Sequence, residues 1–200
     1  MHNFVIIDGE LKKYTGSDVE VEIPYGITSI GKFAFTLCPT VKNIIIPESV
    51  QSIADYAFCD CLNLTSIHIP QKTKSIGVGA FFGCRGLADE HGFVIIRDCL
   101  YDYVGTAQVL VLPDYITTIS ERAFYRCTNL ISVEIPNGVR RIGYAAFLRC
   151  KNLETMRLPD SITEIENQAF SLCPKLKIYS RPGNFAHLYA TQNNLPFGRF

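Results

Sequence analysis

One spacing governs this chain. Pro24, Pro47 and Pro70 stand 23 residues apart, and so do Pro113, Pro136, Pro159 and Pro182. Ten residues after each of the first six of these seven prolines comes an Ala-Phe pair: Ala34-Phe35, Ala57-Phe58, Ala80-Phe81, Ala123-Phe124, Ala146-Phe147 and Ala169-Phe170. Three residues after each Phe comes a cysteine: Cys38, Cys61, Cys84, Cys127, Cys150 and Cys173. A 23-residue unit cannot bury its own apolar side chains, whereas stacked copies share one core. The period therefore predicts a solenoid.

The 43-residue gap from Pro70 to Pro113 breaks the period once, and a second symmetry explains the break. Phe4-Val5-Ile6-Ile7, Leu11, Tyr14, Gly16 and Pro24 recur 89 residues later as Phe93-Val94-Ile95-Ile96, Leu100, Tyr103, Gly105 and Pro113. The chain reads as one solenoid, residues 1–181, made of two 89-residue units (4–92 and 93–181), with residues 182–200 as a cap. Each unit is expected to open with a hairpin. Asp8-Gly9 is a strong two-residue turn signal; Arg97-Asp98 fills the same place with weaker turn chemistry.

Within a coil, the residues three and one before the proline are apolar, as in Val21 and Ile23, Ile44 and Ile46, or Val133 and Ile135. Alternation of period two predicts a strand with these side chains inward. The proline ends it, having no N–H for the next ladder bond. Apolar positions three and six after the proline, such as Val139 and Ile142, return to the core, and Ala-Phe-x-x-Cys is expected to make a helical turn on the convex side. Departures are local: Thr73 replaces an apolar residue, Phe93 stands where a proline is due, and the last coil would turn Tyr179 and Arg181 inward. In the tail, Asn184 or Gly183 can cap a helix with Phe185, Leu188 and Tyr189 on one face, stopped by Leu195-Pro196-Phe197. An open solenoid end exposes core and strand edge, so a helix laid over the last coil is expected.

These residues resemble the leucine-rich repeat family, specifically its BspA-like (bacterial surface antigen-like) subclass with 23-residue repeats ending in Ala-Phe-x-x-Cys. The resemblance covers nearly the whole chain. It implies an α/β leucine-rich repeat solenoid with a parallel β-sheet on its concave face, short helical turns or irregular structure on the convex face, and the C-terminal capping helix. It also implies a non-enzymatic recognition scaffold; members displayed on cells are associated with adhesion and host-protein binding.

Composition narrows the partners. Nineteen Lys plus Arg balance nineteen Asp plus Glu, which disfavours a generic nucleic-acid binder, and 48% hydrophobic content excludes a disordered chain. No run approaches 18 apolar residues, so no membrane insertion is expected. With no signal peptide at its start, the chain is expected in the cytoplasm if complete, and on the cell surface or secreted if a fragment.

The six periodic cysteines report on packing. Copies in adjacent coils have parallel Cβ vectors, while a disulfide needs converging ones, so a ladder of reduced thiols is expected. Cys59 and Cys99 lie outside the ladder, and a reactive thiol would be one of these. Cys59-Asp60-Cys61 lacks further ligands nearby for zinc. His2, His68, His91 and His187 have no ligand spacing, and His91 beside Asp89 and Glu90 reads as a solvated loop. Gly77-Val78-Gly79-Ala80-Phe81-Phe82-Gly83 lacks the Lys-Ser/Thr ending of a phosphate loop and overlies an ordinary repeat position. Asn63-Leu64-Thr65 matches a glycosylation sequon but sits at a strand start. No catalytic residue, metal or cofactor is expected, because solenoid coils offer no deep pocket without inserted loops.

The binding surface is expected on the concave face. Residues two before each proline point outward and form the row Glu22, Ile45, His68, Val111, Glu134 and Arg157; those four before give Glu20, Asn43, Ser66, Val109, Ser132 and Thr155. Outward Ile45, Val109 and Val111 have no core role, the pattern of a recognition patch, although single outward apolar residues are common on strands. The expected function is a protein–protein interaction scaffold binding a partner there. The alternative is an adhesin or glycan-binding segment of a larger secreted bacterial protein, with a host or extracellular-matrix protein as partner if displayed.

Overall fold

The computed structural model describes residues 3–199, so His2 lies outside the described residues. The chain forms two compact units, Met1–Val94 and Ile95–Phe200. Each is built on two sheets whose coil strands run parallel, one of them headed by a hairpin.

In the first unit a hairpin, β1 (Phe4–Ile7) and β2 (Glu10–Tyr14), turns at Asp8 and Gly9, both with positive φ. Its coils then supply strands in pairs. The pre-proline strands β3 (Glu20–Glu22), β5 (Asn43–Ile45) and β7 (Ser66–His68) form one sheet, with Val21, Ile44 and Ile67 in register. Two-residue strands β4 (Ser29–Ile30), β6 (Ser52–Ile53) and β8 (Ser75–Ile76) continue from β2 as the second sheet.

The second unit repeats the plan. Strands β9 (Phe93–Ile96) and β10 (Cys99–Tyr103) lead into β12 (Thr118–Ile119), β14 (Arg141–Ile142) and β16 (Glu164–Ile165). The pre-proline strands are β11 (Val109–Val111), β13 (Ser132–Glu134), β15 (Thr155–Arg157) and β17 (Lys177–Tyr179). A short strand, β18 (Phe197–Gly198), pairs with β17 and covers that sheet's edge. The pre-proline strands thus make two separate sheets, β3-β5-β7 and β11-β13-β15-β17-β18, rather than a single one.

The core is a set of aromatic columns. In the first unit Tyr14, Phe35, Phe58 and Phe81 stack at centroid distances of 5.1, 5.1 and 5.2 Å. In the second, Tyr103, Phe124, Phe147 and Phe170 follow at 5.3, 4.6 and 5.6 Å, and Tyr189 closes the column edge-on at 5.9 Å. Offset ring pairs at such distances add about 0.5–1.5 kcal/mol each beyond the area they bury. The hairpin tyrosines serve as the first rung, each with its hydroxyl at the rim: Tyr14 donates to Asp18 (2.8 Å), and Tyr103 accepts from the Ala107 N–H (3.2 Å). A Cβ at Gly16 or Gly105 would fall 2.5 or 2.4 Å from that hydroxyl oxygen, so the recurring glycine marks where the chain crosses over the ring.

One expectation is sharpened and two are corrected. The Ala-Phe-x-x-Cys segments are successive turns, the irregular alternative to a short helical turn, because the chain enters the left-handed region twice per coil. The residue before Ala-Phe does so (Phe33, Tyr56, Gly79, Arg122, Ala145, Gln168), and again the residue two after the Phe (Leu37, Asp60, Gly83, Arg126, Arg149, Leu172). Gly79 and Gly83 are simply the glycines among these positions, which accounts for the loop that looked like a phosphate cradle. Next, Tyr179 and Arg181 do not turn inward: Met156 pairs with Ile178 and Arg157 with Tyr179, so this coil is one residue short, and Ile178 and Ser180 are the buried pair. Last, the helix α1 (Phe185–Gln192) buries Ala186 and Ala190 while Phe185 and Leu188 stay 40% and 53% exposed. Small side chains let its backbone approach closely, and Tyr189 reaches the ring column from the same side. Asn184 is its N-cap, accepting from the His187 N–H at 2.9 Å and donating to Asp160 at 2.9 Å. Thr73, the apolar position that is polar, is buried with its hydroxyl donating to the Val50 carbonyl at 3.0 Å.

Candidate functional site

The strand register decides which outward residues are neighbours. In the first unit Glu22, Ile45 and His68 form a row across β3, β5 and β7, beside a second row of Glu20, Asn43 and Ser66. Ile45 is 44% exposed between an acid and an imidazole. In the second unit the row is Val111, Glu134, Arg157 and Tyr179, beside Val109, Ser132, Thr155 and Lys177. Val109 and Val111 are each 67% exposed on β11, which is an edge strand. The expected row of candidate residues is therefore divided into Glu22, Ile45 and His68 on one sheet and Val109, Val111, Glu134 and Arg157 on another.

Two residues join the second group that the strict period had misplaced. Tyr179 stands beside Arg157, and the Lys177 ammonium lies 5.1 Å from the Tyr179 ring centroid. The alternation Lys-Ile-Tyr, with one apolar residue between two polar-tipped ones, is the sequence signal for that placement. The Thr155 hydroxyl donates to Ser132 at 2.8 Å and fixes the polar row between them.

The cysteine positions hold thiols. Cys61, Cys84, Cys150 and Cys173 donate to the carbonyls of Phe35, Phe58, Phe124 and Phe147 in the preceding coil, at 3.0, 3.1, 3.1 and 3.0 Å. In the first coil of each unit, Cys38 and Cys127 stand 4.0 Å from the Thr36 and Tyr103 carbonyls. Burial holds the Cys127 thiol up to about 12, aided by the nearby Asp102 carboxylate. Among the two cysteines outside the ladder, Cys59 is buried with its Sγ 3.5 Å from Asp60, and burial pushes half-buried Cys99 up to about 12. A nucleophilic thiol needs the opposite shift. His91 is exposed in a loop with Glu90 3.7 Å away. The Asn63 amide donates to the Pro39 carbonyl at 2.7 Å, and Asn152 repeats this on Thr128 at 2.9 Å, a coil-to-coil tie that explains the sequon-like triplet. Among the described residues no helix is long and apolar enough to cross a membrane.

A groove of about 870 Å³ runs between the outer turns of the last coils and α1, which supplies the missing wall. Phe170, Leu172, Tyr189 and Leu195 give it apolar surface, and Arg126, Arg149 and Lys151 line it as well.

Coils of about 23 residues, six Ala-Phe-x-x-Cys turns and paired sheets of parallel coil strands define a leucine-rich repeat scaffold. Residues 11–90 and 94–191 match the BspA type leucine rich repeat region in six copies, and the chain belongs to that family. Among solved structures it is similar to the T. pallidum leucine-rich repeat protein TpLRR, at 23% identity over 96% of this chain and 89% of that one, TM-score 0.47. It is also similar to a leucine-rich repeat protein from Bacteroides ovatus, at 25% identity over 90% of this chain and 50% of that one, TM-score 0.48. The pneumococcal vaccine antigen PcpA is a further likeness, at 16% identity over 96% of this chain and 44% of that one, TM-score 0.41. No curated protein matches the sequence.

Proposed function

We propose that this chain is a non-catalytic scaffold that holds a protein partner on the outward face of its pre-proline strands. The observation that carries the reading is the exposure of Val109 and Val111, 67% each, on one face of β11 with no packing role there. Beside them lie Ser132 and Glu134, then Thr155 and Arg157, then Lys177 and Tyr179. An exposed apolar pair at the sheet edge, continued by polar, charged and aromatic side chains, is a composition that recognition surfaces use. Strands hold these side chains in fixed register, so little entropy is lost on binding. Ile45 between Glu22 and His68 offers a smaller surface of the same kind on the first unit.

The test compares proteins captured by the immobilised native chain with those captured by Val109→Glu/Val111→Glu and, separately, Ile45→Glu. All three positions are exposed, so thermal melts should be unchanged. Capture of a partner should fall about tenfold or more in the valine double variant. Undiminished capture by both variants would remove the pre-proline face as the binding surface.

A further inference from the structure

We propose that the groove between the last coils and α1 is a binding site for a small amphiphilic anion: an apolar or aromatic body bearing a phosphate, carboxylate or sulfonate. It lies apart from the pre-proline strands and does not depend on the reading given for them.

Three observations converge on it. The first is charge. Arg126, Arg149 and Lys151 line the groove, no Asp or Glu does, and among the described residues none of the three forms an ion pair. In a chain of zero net charge this is a local excess of three positive groups. The second is register. Arg126 and Arg149 occupy the same place in adjacent coils, with φ of 61° and 66°, and their N–H groups donate to Leu148 and Ser171 of the next coil at 3.0 Å each. Matched backbone geometry starts both side chains from points about 4.8 Å apart, the spacing of hydrogen-bonded chains, and the Arg126 guanidinium lies 5.3 Å from the Tyr125 ring centroid. Like charges rooted this close repel, and an anion that both can reach relieves the repulsion. A guanidinium fork also matches phosphate and carboxylate oxygens two at a time.

The third observation is the wall. Phe170 and Tyr189 meet edge-on at 5.9 Å, and Leu172, 61% exposed, and Leu195 complete an apolar lining beside the cations. A volume of about 870 Å³ suits a body of lipid-fragment or aromatic-metabolite size rather than a bare ion.

Isothermal titration calorimetry of the full chain with octyl phosphate tests the site, with octanol and inorganic phosphate as comparison arms. Octyl phosphate should bind at one site per chain, about tenfold or more tighter than either comparison compound. Arg126→Gln/Arg149→Gln should weaken it about tenfold with the thermal melt unchanged, and Lys151→Gln, on an exposed turn, provides a second variant should the double one lose stability. Octanol binding as tightly would remove the cationic half of the proposal, and inorganic phosphate binding as tightly would remove the apolar half. Absent binding, or binding that both variants leave unaltered, overturns it entirely. Val109→Glu/Val111→Glu should bind octyl phosphate as the native chain does, which keeps this result separate from the fate of the pre-proline surface.

Discussion

The Cys150 thiol donates to the Phe124 carbonyl of the coil before it, 3.1 Å away. Both groups are buried, and the same bond recurs from Cys61, Cys84 and Cys173. The periodic cysteine thus ties one coil to the last through a carbonyl whose other lone pair is taken by a backbone N–H, as Phe124 accepts from the Cys127 N–H at 3.1 Å. Cys84→Ala should cost about 1–3 kcal/mol by urea denaturation, from the lost thiol bond and the small void, with the Phe58 carbonyl keeping the Cys61 N–H. Cys38→Ala, where the nearest carbonyl contact is 4.0 Å, should cost less than about 1 kcal/mol. Equal costs at the two positions would show that volume, not the bond, fixes the residue.

Alkaline pH should loosen the fold. Burial lifts the thiols of Cys99 and Cys127 from the ordinary value near 9 to about 12. Between those limits the unfolded chain releases protons that the folded chain retains, so stability is full below pH 9 and falls as pH rises toward 12. Urea midpoints should be level from pH 7 to 8.5 and decline above 9, more gently in Cys127→Ala. A midpoint constant to pH 11 would contradict the buried, protonated thiols.

The second left-handed position in each coil gives opposite expectations according to whether it holds glycine. Gly83 has φ +75°, so Gly83→Ala should destabilise by about 1–2 kcal/mol. Leu37, 68% exposed at φ 57°, sits at the equivalent place, and Leu37→Gly should leave stability unchanged or raise it by up to about 1 kcal/mol once the looser unfolded chain is counted. A clear loss of stability in Leu37→Gly would mean that its side chain packs more than its exposure indicates.

Gly105→Ala should also destabilise, by crowding rather than by backbone conformation. Its Cβ would meet the Tyr103 oxygen at 2.4 Å and ring atoms at 2.6 and 2.8 Å, against the first rung of the aromatic column. A cost of about 1–3 kcal/mol is expected, read as a shift in thermal midpoint. A midpoint within a degree of the native one would show that the ring can move aside.

Much of this architecture was legible because it is repeated. Inward pairs such as Val133 and Ile135 and the returns at Val139 and Ile142 follow from the 23-residue period, whereas the stacking of the recurring Phe into a column was seen only in the structure. What escaped was whatever does not alternate or repeat. The second sheet uses two residues per coil, too few for a period to register. Left-handed φ at Arg126 or Gln168 leaves no mark when the residue is not glycine. The one-residue deletion before Lys177 shifted Tyr179 from core to surface, and the helix chose alanines over Phe185 because closeness of approach outweighed side-chain size. Of the candidate residues, their outward direction was readable from alternation, whereas their division between two sheets was not, since it depends on where ladder bonds stop.

A hairpin at the head of each unit also gives the chain a direction of growth. β1 and β2 need no later residue to pair, and they present Tyr14 and a strand edge before any full coil exists. Each coil that follows brings an Ala carbonyl to the Phe N–H already laid down, as Ala57 does for Phe35 at 2.7 Å, and then a thiol to that same Phe. A ribosome delivers the chain in this order. Every new coil therefore docks on a finished template within about two dozen residues of emerging, and short sequence separations of that kind make for fast closure and little time with an apolar edge bare.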